Sequence, residues 1–314
     1  MLLSFLIVII GFIILSYGAI FLVDGSASIA RRMKVSQIVI GLTIVAFGTS
    51  APELLVNIIS SLKGQDEIGF GNIIGSNIFN ILAVLGVAGA LRPITVQKST
   101  VWKQMPFLFF GTVLVFGFLN NFGMEGFLLS RLDGIFLIVI LGIFYYFTLS
   151  DNLQDQLDIE INDFTVLKSV MLIIGGMFGL YFGAKLVVVY AVKIATELHV
   201  SPKLIALTIV AFGTSLPELV TSVVAVIRKH NDIAIGNIVG SNLFNLFLVL
   251  GVSAIISPMQ YNVVMNSDYI FLIVITFFLF VTMFTGKKHK LDRWEAILFL
   301  ILYIGYLALI IIRK

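Results

Sequence analysis

Long apolar runs alternate with short clusters of charged, Pro, Gly and Asn residues along the whole 314-residue chain. A helix that crosses the hydrocarbon of a bilayer needs about 20 apolar residues. Cutting the chain at its polar clusters predicts about ten such spans. Their cores lie near 2–23, 37–62, 70–91, 104–120, 133–150, 166–190, 202–227, 234–256, 268–285 and 293–312. The opening run, MLLSFLIVIIGFIILSYGAIFLV, has no basic leader and no small-residue cleavage site. It reads as the first span rather than a removable signal. The predicted fold is therefore an all-α integral membrane protein.

The polar residues inside these runs repeat. VSQIVIGLTIVAFGTSAPEL from Val35 matches VSPKLIALTIVAFGTSLPEL from Val200, and GNIIGSNIFNILAVLGV from Gly71 matches GNIVGSNLFNLFLVLGV from Gly236. One constant offset relates Glu53 to Glu218, Asn80 to Asn245 and Gly18 to Gly183. Chance likeness of two apolar stretches does not reproduce Gly, Thr, Ser, Pro, Glu and Asn in register. The chain divides into a first repeat at 1–150, an acidic linker at 151–165 and a second repeat at 166–314. Five spans per repeat is an odd number, so the second copy enters the membrane from the opposite side. Inverted repeats with a site at their interface are a transporter architecture.

Composition agrees: 59% of residues are hydrophobic, 12% are charged, and mean hydropathy is +1.09. A soluble domain needs more polar surface. The absence of cysteine excludes disulfides, thiolate metal sites and cysteine nucleophiles. His199, His230 and His289 fall at predicted segment ends, away from any intramembrane relay. The net charge of +3 is spread over loops, leaving no basic stripe for nucleic acid. With the N-terminus outside, the inner loops hold 13 Lys and Arg against 7 on the outer side. That bias predicts a cytoplasmic linker and, for a cell membrane protein, an outside N-terminus. Trp102 and Trp294 sit at span ends as interfacial anchors.

Glu53 and Glu218 lie within apolar runs, where a charged side chain costs about 2.5–3.5 kcal/mol on insertion scales. No Lys or Arg sits at matching depth to pair with them, so a bound cation is the better partner. In AFGTSAPE and AFGTSLPE, Gly48, Pro52, Gly213 and Pro217 weaken the helix, and each proline removes a backbone donor. Carbonyls near Ala46, Thr49, Ala211 and Thr214 are expected to be freed, which membrane proteins tolerate where backbone lines a site. The hydroxyls of Thr49, Ser50, Thr214 and Ser215 add oxygens, although such hydroxyls also bond back to their own helix. The second motif adds Ser76 and Asn80, four apart on one face, with Ser241 and Asn245 as their copies. Asn72, Asn77, Asn237 and Asn242 read equally as interhelical glue or as ligands. The donor set is all oxygen, which suits Ca²⁺ with its 6–8 oxygen ligands, and two carboxylates balance its charge.

These paired GTSxPEL and GN[IV][IV]GSN[IL]FN motifs resemble the alpha repeats of the calcium/cation antiporter superfamily, and more narrowly its prokaryotic sodium/calcium exchanger branch. The resemblance covers nearly the whole chain. It implies alternating access, with the first and sixth spans sliding over the other eight. It implies calcium ligands at Glu53, Glu218 and the carbonyls of Thr49 and Thr214. It implies sodium sites that add Ala46, Ser50 and Ser241 on one side and Ala211, Ser215 and Ser76 on the other. Asn80 and Asn245 border the centre, where some relatives carry Asp. The expected transported ions are calcium and sodium, with no cofactor, no obligate protein partner and the lipid bilayer as surroundings. Proton-coupled or potassium-dependent exchange remain alternatives, as does a gated cation channel. An intramembrane enzyme lacks a nucleophile–base pair.

Overall fold

The computed structural model describes residues 1–123, 126–151, 164–200 and 211–312. Helices α1 (Leu2–Met33) and α7 (Val166–Glu197) are the longest, at 32 residues each. At 1.5 Å per residue they extend about 48 Å, beyond the ~30 Å hydrocarbon core, so they cross at a tilt. Both outrun their predicted cores. Asp24, Arg31 and Arg32 end the apolar run of α1 without ending the helix, which closes only where Lys34 turns left-handed at φ 55.

These two helices pack on each other through glycine. A Cβ on Gly18 would stand 2.7 Å from the Leu180 backbone, and one on Gly176 would stand 2.6 Å from that of Leu22. Small residues let helix backbones approach in this way. The glycine faces thus fasten α1 to α7. Farther along, the Phe164 N–H donates to Ser28 Oγ at 3.1 Å, and Arg32 bonds the Phe164 carbonyl. The rest of the acidic linker, 152–163, lies outside the described residues.

The second span is broken where Pro52 predicts. Helices α2 (Gln37–Thr49) and α3 (Ala51–Leu62) meet at 49°, with Ser50 non-helical at φ −85, ψ 4 and Pro52 in the first turn of α3. The second repeat matches: helical residues Ala211–Gly213, Ser215 at φ −91, ψ 6, then α8 (Leu216–Ile227) with Pro217 in its first turn. Residues 201–210, where the seventh predicted span begins, lie outside the described residues. Helices α4 (Asp66–Leu91) and α9 (Asn231–Ile256) run through the centre and are almost wholly buried. Around them stand α5 (Thr100–Leu119), α6 (Arg131–Asp151), α10 (Val263–Thr282) and α11 (Arg293–Ile312). Their outward faces are apolar, as at Phe110, Phe147, Val274 and Ile304, which in a bilayer is the lipid side. Among the described residues eight helices are long and apolar enough to cross a membrane, nine counting the bent pair as one. This is a multi-pass membrane protein.

Short strands clamp the loops. β1 (Ile94–Thr95) pairs antiparallel with β4 (Lys290–Leu291), and β2 (Leu128–Leu129) pairs with β3 (Met259–Gln260). Each pair joins one half of the chain to the other. Trp102 and Trp294 open α5 and α11 and are exposed, as expected of anchors.

Candidate functional site

The two helix breaks meet α4 and α9 in the middle of the bundle. Glu53 and Glu218 each lie just past a break, in the first turn of α3 and α8, and both are fully buried. Anionic side chains favour that end of a helix, where unpaired N–H groups point. Each carboxylate is held from both halves. Glu53 Oε1 accepts from Ser215 Oγ at 3.0 Å and from Ser76 Oγ at 3.5 Å. Glu218 Oε1 accepts from Ser50 Oγ at 3.0 Å and from Ser241 Oγ at 3.4 Å. The serine of one break therefore serves the glutamate of the other.

Asn80 and Asn245 stand in π-helical turns at Asn80–Val84 and Phe244–Val249. Such turns are frequent at functional sites. Asn80 Nδ2 donates to Asn242 Oδ1 at 3.1 Å, and Asn245 Nδ2 donates to Asn77 Oδ1 at 3.2 Å. Asn77 and Asn242 thus act as the glue that one reading of them assigns.

On the carboxylates and the central amides four buried acceptors remain: among the described residues Glu53 Oε2, Glu218 Oε2, Asn80 Oδ1 and Asn245 Oδ1 accept no hydrogen bond. No ion pair among the described residues involves either glutamate. A buried acceptor without a donor costs about 1–3 kcal/mol, and more when charged. Four of them in one polar cluster, two on carboxylates, fit a hard cation, which supplies no hydrogen but satisfies several oxygens at once.

The predicted backbone ligands divide. Among the described residues no backbone N–H reaches the carbonyls of Thr49 or Thr214 across the breaks. The Ala46 carbonyl is not: it accepts from the Ser50 N–H at 3.0 Å and from Thr49 Oγ1 at 3.3 Å. The helix survives one residue farther than the proline rule suggests, because Pro52 removes only the bond to Gly48. Ala211 lies in the helical residues Ala211–Gly213 ahead of the second break. Thr49 is fully buried and Thr214 half-buried. Asn57 and Ser222 were not among the candidate ligands, yet with Asn237 they surround the site: Asn237 Nδ2 donates to Ser222 Oγ at 3.0 Å, and Asn57 Nδ2 donates to the Glu53 carbonyl at 3.0 Å. The positions of Asn57 and Ser222, one helical turn past each glutamate on the same face, carry that signal in the sequence.

The family model for the sodium/calcium exchanger protein matches residues 3–150 and 168–312. The chain is 35% identical to the putative antiporter CaxA of Alkalimonas amylolytica, with 98% of each covered. It is 29% identical to the sodium/calcium exchanger MaX1 of Methanosarcina acetivorans, again over 98% of each. Its fold superposes on a structure of the sodium-calcium exchanger NCX_Mj soaked with 10 mM Na⁺ and zero Ca²⁺, with a TM-score of 0.84 and 34% identity over 98% of both chains.

Proposed function

Since this chain belongs to the sodium/calcium exchanger protein family, and so is an antiporter rather than an enzyme, we propose that it exchanges sodium for calcium electrogenically and without potassium. The observation that carries the ion assignment is the crossed pair of buried carboxylates with four acceptor oxygens left without donors. Glu53, Glu218 and the Thr49 and Thr214 carbonyls hold calcium. The side chains of Ser50 and Ser241 on one side, and Ser215 and Ser76 on the other, hold sodium together with backbone near Ala46 and Ala211. Since the Ala46 carbonyl already accepts two bonds, a sodium ion there displaces the Thr49 hydroxyl. Asn80 and Asn245 border the centre with neutral amides. They add no third carboxylate, which is what a bound potassium ion beside calcium would call for.

The chain is arranged as two inverted five-span repeats, 1–150 and 166–314, joined by the linker. Strand pairing supports the inversion. β1 and β2 are separated by the single span α5, so they lie at opposite faces of the bundle. β3 occupies in the second repeat the position that β1 occupies in the first, yet it pairs with β2. The excess of Lys and Arg supports placing the N-terminus outside the cell membrane and the linker in the cytoplasm. No step requires a second protein.

Two flanking monovalent positions and a shared centre place more than two sodium ions against one calcium. Calcium uptake then carries net positive charge outward. The membrane potential acts on that charge at about 2.3 kcal/mol per 100 mV. In sodium-loaded proteoliposomes, an inside-positive potential is expected to speed calcium uptake and an inside-negative potential to slow it. Potential-independent uptake would leave the exchange electroneutral and remove the third sodium.

A further inference from the structure

Two loops far apart in sequence are drawn together at one face of the bundle. β1 pairs with β4, and the Val96 N–H extends the ladder by donating to the His289 carbonyl at 2.9 Å. The pairing sets residues 92–103 beside residues 284–293. These segments hold Arg92, Lys98, Lys103, Lys287, Lys288, Lys290 and Arg293 against one acid, Asp292. A bias of Lys and Arg toward one side of the membrane needs basic residues in the loops, but it does not need them clamped into one patch. The other clamp, β2 with β3, is built alike and charged oppositely. Its segments, 120–131 and 257–268, hold a single basic residue, Arg131. Two acids bond into it: Asp66 Oδ2 accepts from the Gln260 N–H and Glu67 Oε1 from Asn262 Nδ2, both at 2.8 Å.

The acids near the basic patch are already engaged. Glu295 is fully buried and accepts from the Asp292 N–H at 2.7 Å and from Thr285 Oγ1. Asp292 Oδ1 pairs with Lys290 at 3.4 Å, and Asp232 accepts from Gln97 Nε2 at 2.8 Å. Lys98, Lys287 and Lys288 are exposed, and among the described residues no carboxylate lies within ion-pair distance of them. Like charges gathered in this way repel, and an anion relieves them.

The patch also sits at headgroup depth. Four membrane-spanning helices begin or end beside it: α4 at Leu91, α5 at Thr100, α10 at Thr282 and α11 at Arg293. Two indoles flank it. The Trp102 ring lies 5.2 Å from that of Phe284, and a Cβ on Gly286 would stand 3.7 Å from Trp294 Nε1. Both tryptophans are more than half exposed, at 54% and 55%. Indoles settle at the boundary of membrane and water, so the lysines between them lie at the level of lipid phosphates. Phe277, Ile297 and Ile301 continue the exposed surface as an apolar one along α10 and α11.

We propose that this patch is a binding site for an anionic phospholipid, with the headgroup phosphate on Lys98, Lys287 and Lys288 and the acyl chains along α10 and α11. Polybasic clusters at the ends of membrane spans hold anionic lipid in this way. The bound phosphate bridges a loop of the first half of the chain to a loop of the second and offsets the repulsion across β1 and β4. The inference needs the membrane setting but not the ion assignment.

Trp102 and Trp294 are the only tryptophans of the chain, so indole fluorescence reports the lipid beside the patch. The protein is reconstituted in phosphatidylcholine bilayers doped with brominated phosphatidylglycerol or, separately, with brominated phosphatidylcholine, since bromine quenches an indole it touches. Brominated phosphatidylglycerol is expected to reach half-maximal quenching at about a tenfold lower fraction of the bilayer. Combining Lys98→Gln, Lys287→Gln and Lys288→Gln is expected to abolish that preference, since each charge near an anionic headgroup is worth about fivefold. The corresponding three Arg substitutions are expected to keep it, as is Arg131→Gln at the other clamp. Unchanged quenching by brominated phosphatidylcholine in every variant shows that the fold is kept. Equal quenching by the two lipids in the parent, or a preference that survives the triple Gln substitution, would overturn the site. Loss of the preference on adding inorganic phosphate at constant ionic strength would assign the patch to a soluble anion. A preference seen only after neutralising Asp155, Asp158, Glu160 and Asp163 would assign it to the chain's own linker. Either result would equally overturn the lipid site.

Discussion

Glu53→Gln and Glu218→Gln each reduce calcium exchange at least about a hundredfold, since one uncompensated charge on a buried divalent ion costs several kcal/mol and about 1.4 kcal/mol is tenfold. Both variants still fold. A glutamine Oε1 accepts the same two serine hydroxyls that Oε1 of the glutamate accepts now, from Ser215 and Ser76 at position 53 and from Ser50 and Ser241 at position 218. The loss therefore separates from stability: calcium uptake into proteoliposomes collapses while the melting temperature in detergent stays near that of the parent. Near-normal uptake by either variant sinks the proposed calcium site. Because the serines cross between repeats, the two variants are expected to be equally severe.

Joining α1 to α8 stops turnover. The glycine contacts make α1 and α7 one body, and that body touches the rest through α8 and α2. Arg228, just past the end of α8, meets Asp24 of α1 with both carboxylate oxygens, at 2.5 and 2.7 Å. A partly exposed pair of this kind contributes at most about 1 kcal/mol, so Asp24→Cys with Arg228→Cys leaves a working exchanger until it is crosslinked. A short bifunctional thiol reagent then pins the sliding pair. Exchange is expected to fall in proportion to the crosslinked fraction and to return on cleavage of the linker. Undiminished turnover in a fully crosslinked sample would show that α1 and α7 do not move against α8. A crosslink from Gly18 is uninformative, because Gly18 faces α7.

Much of this was legible in the chain itself. The constant offset between the two copies exposes the duplication because Gly, Pro, Glu and Asn recur in register, and such residues do not match by hydrophobicity alone. Pro52 and Pro217 mark the breaks because a missing N–H acts locally. What depends on partners across the bundle was not legible. That Ser50 serves Glu218 and not Glu53 follows from how the breaks cross, and no spacing within either motif encodes it. The length of α1 was underestimated because Asp24 and Arg32 end an apolar run, while a helix ends only at a cap.

The coupling ion is the centre of the account. Protons are the serious rival, because carboxylates at Glu53 and Glu218 can carry them; the serine hydroxyls and free carbonyls around them would then have no ion to hold. Calcium uptake should be measured in proteoliposomes loaded in turn with sodium, with potassium, and with an impermeant cation under an outward proton gradient. Rapid uptake with internal sodium alone, unchanged by added potassium and absent in the other two, is the expected result; uptake driven by protons without sodium, or sodium-driven uptake that requires potassium, would contradict it.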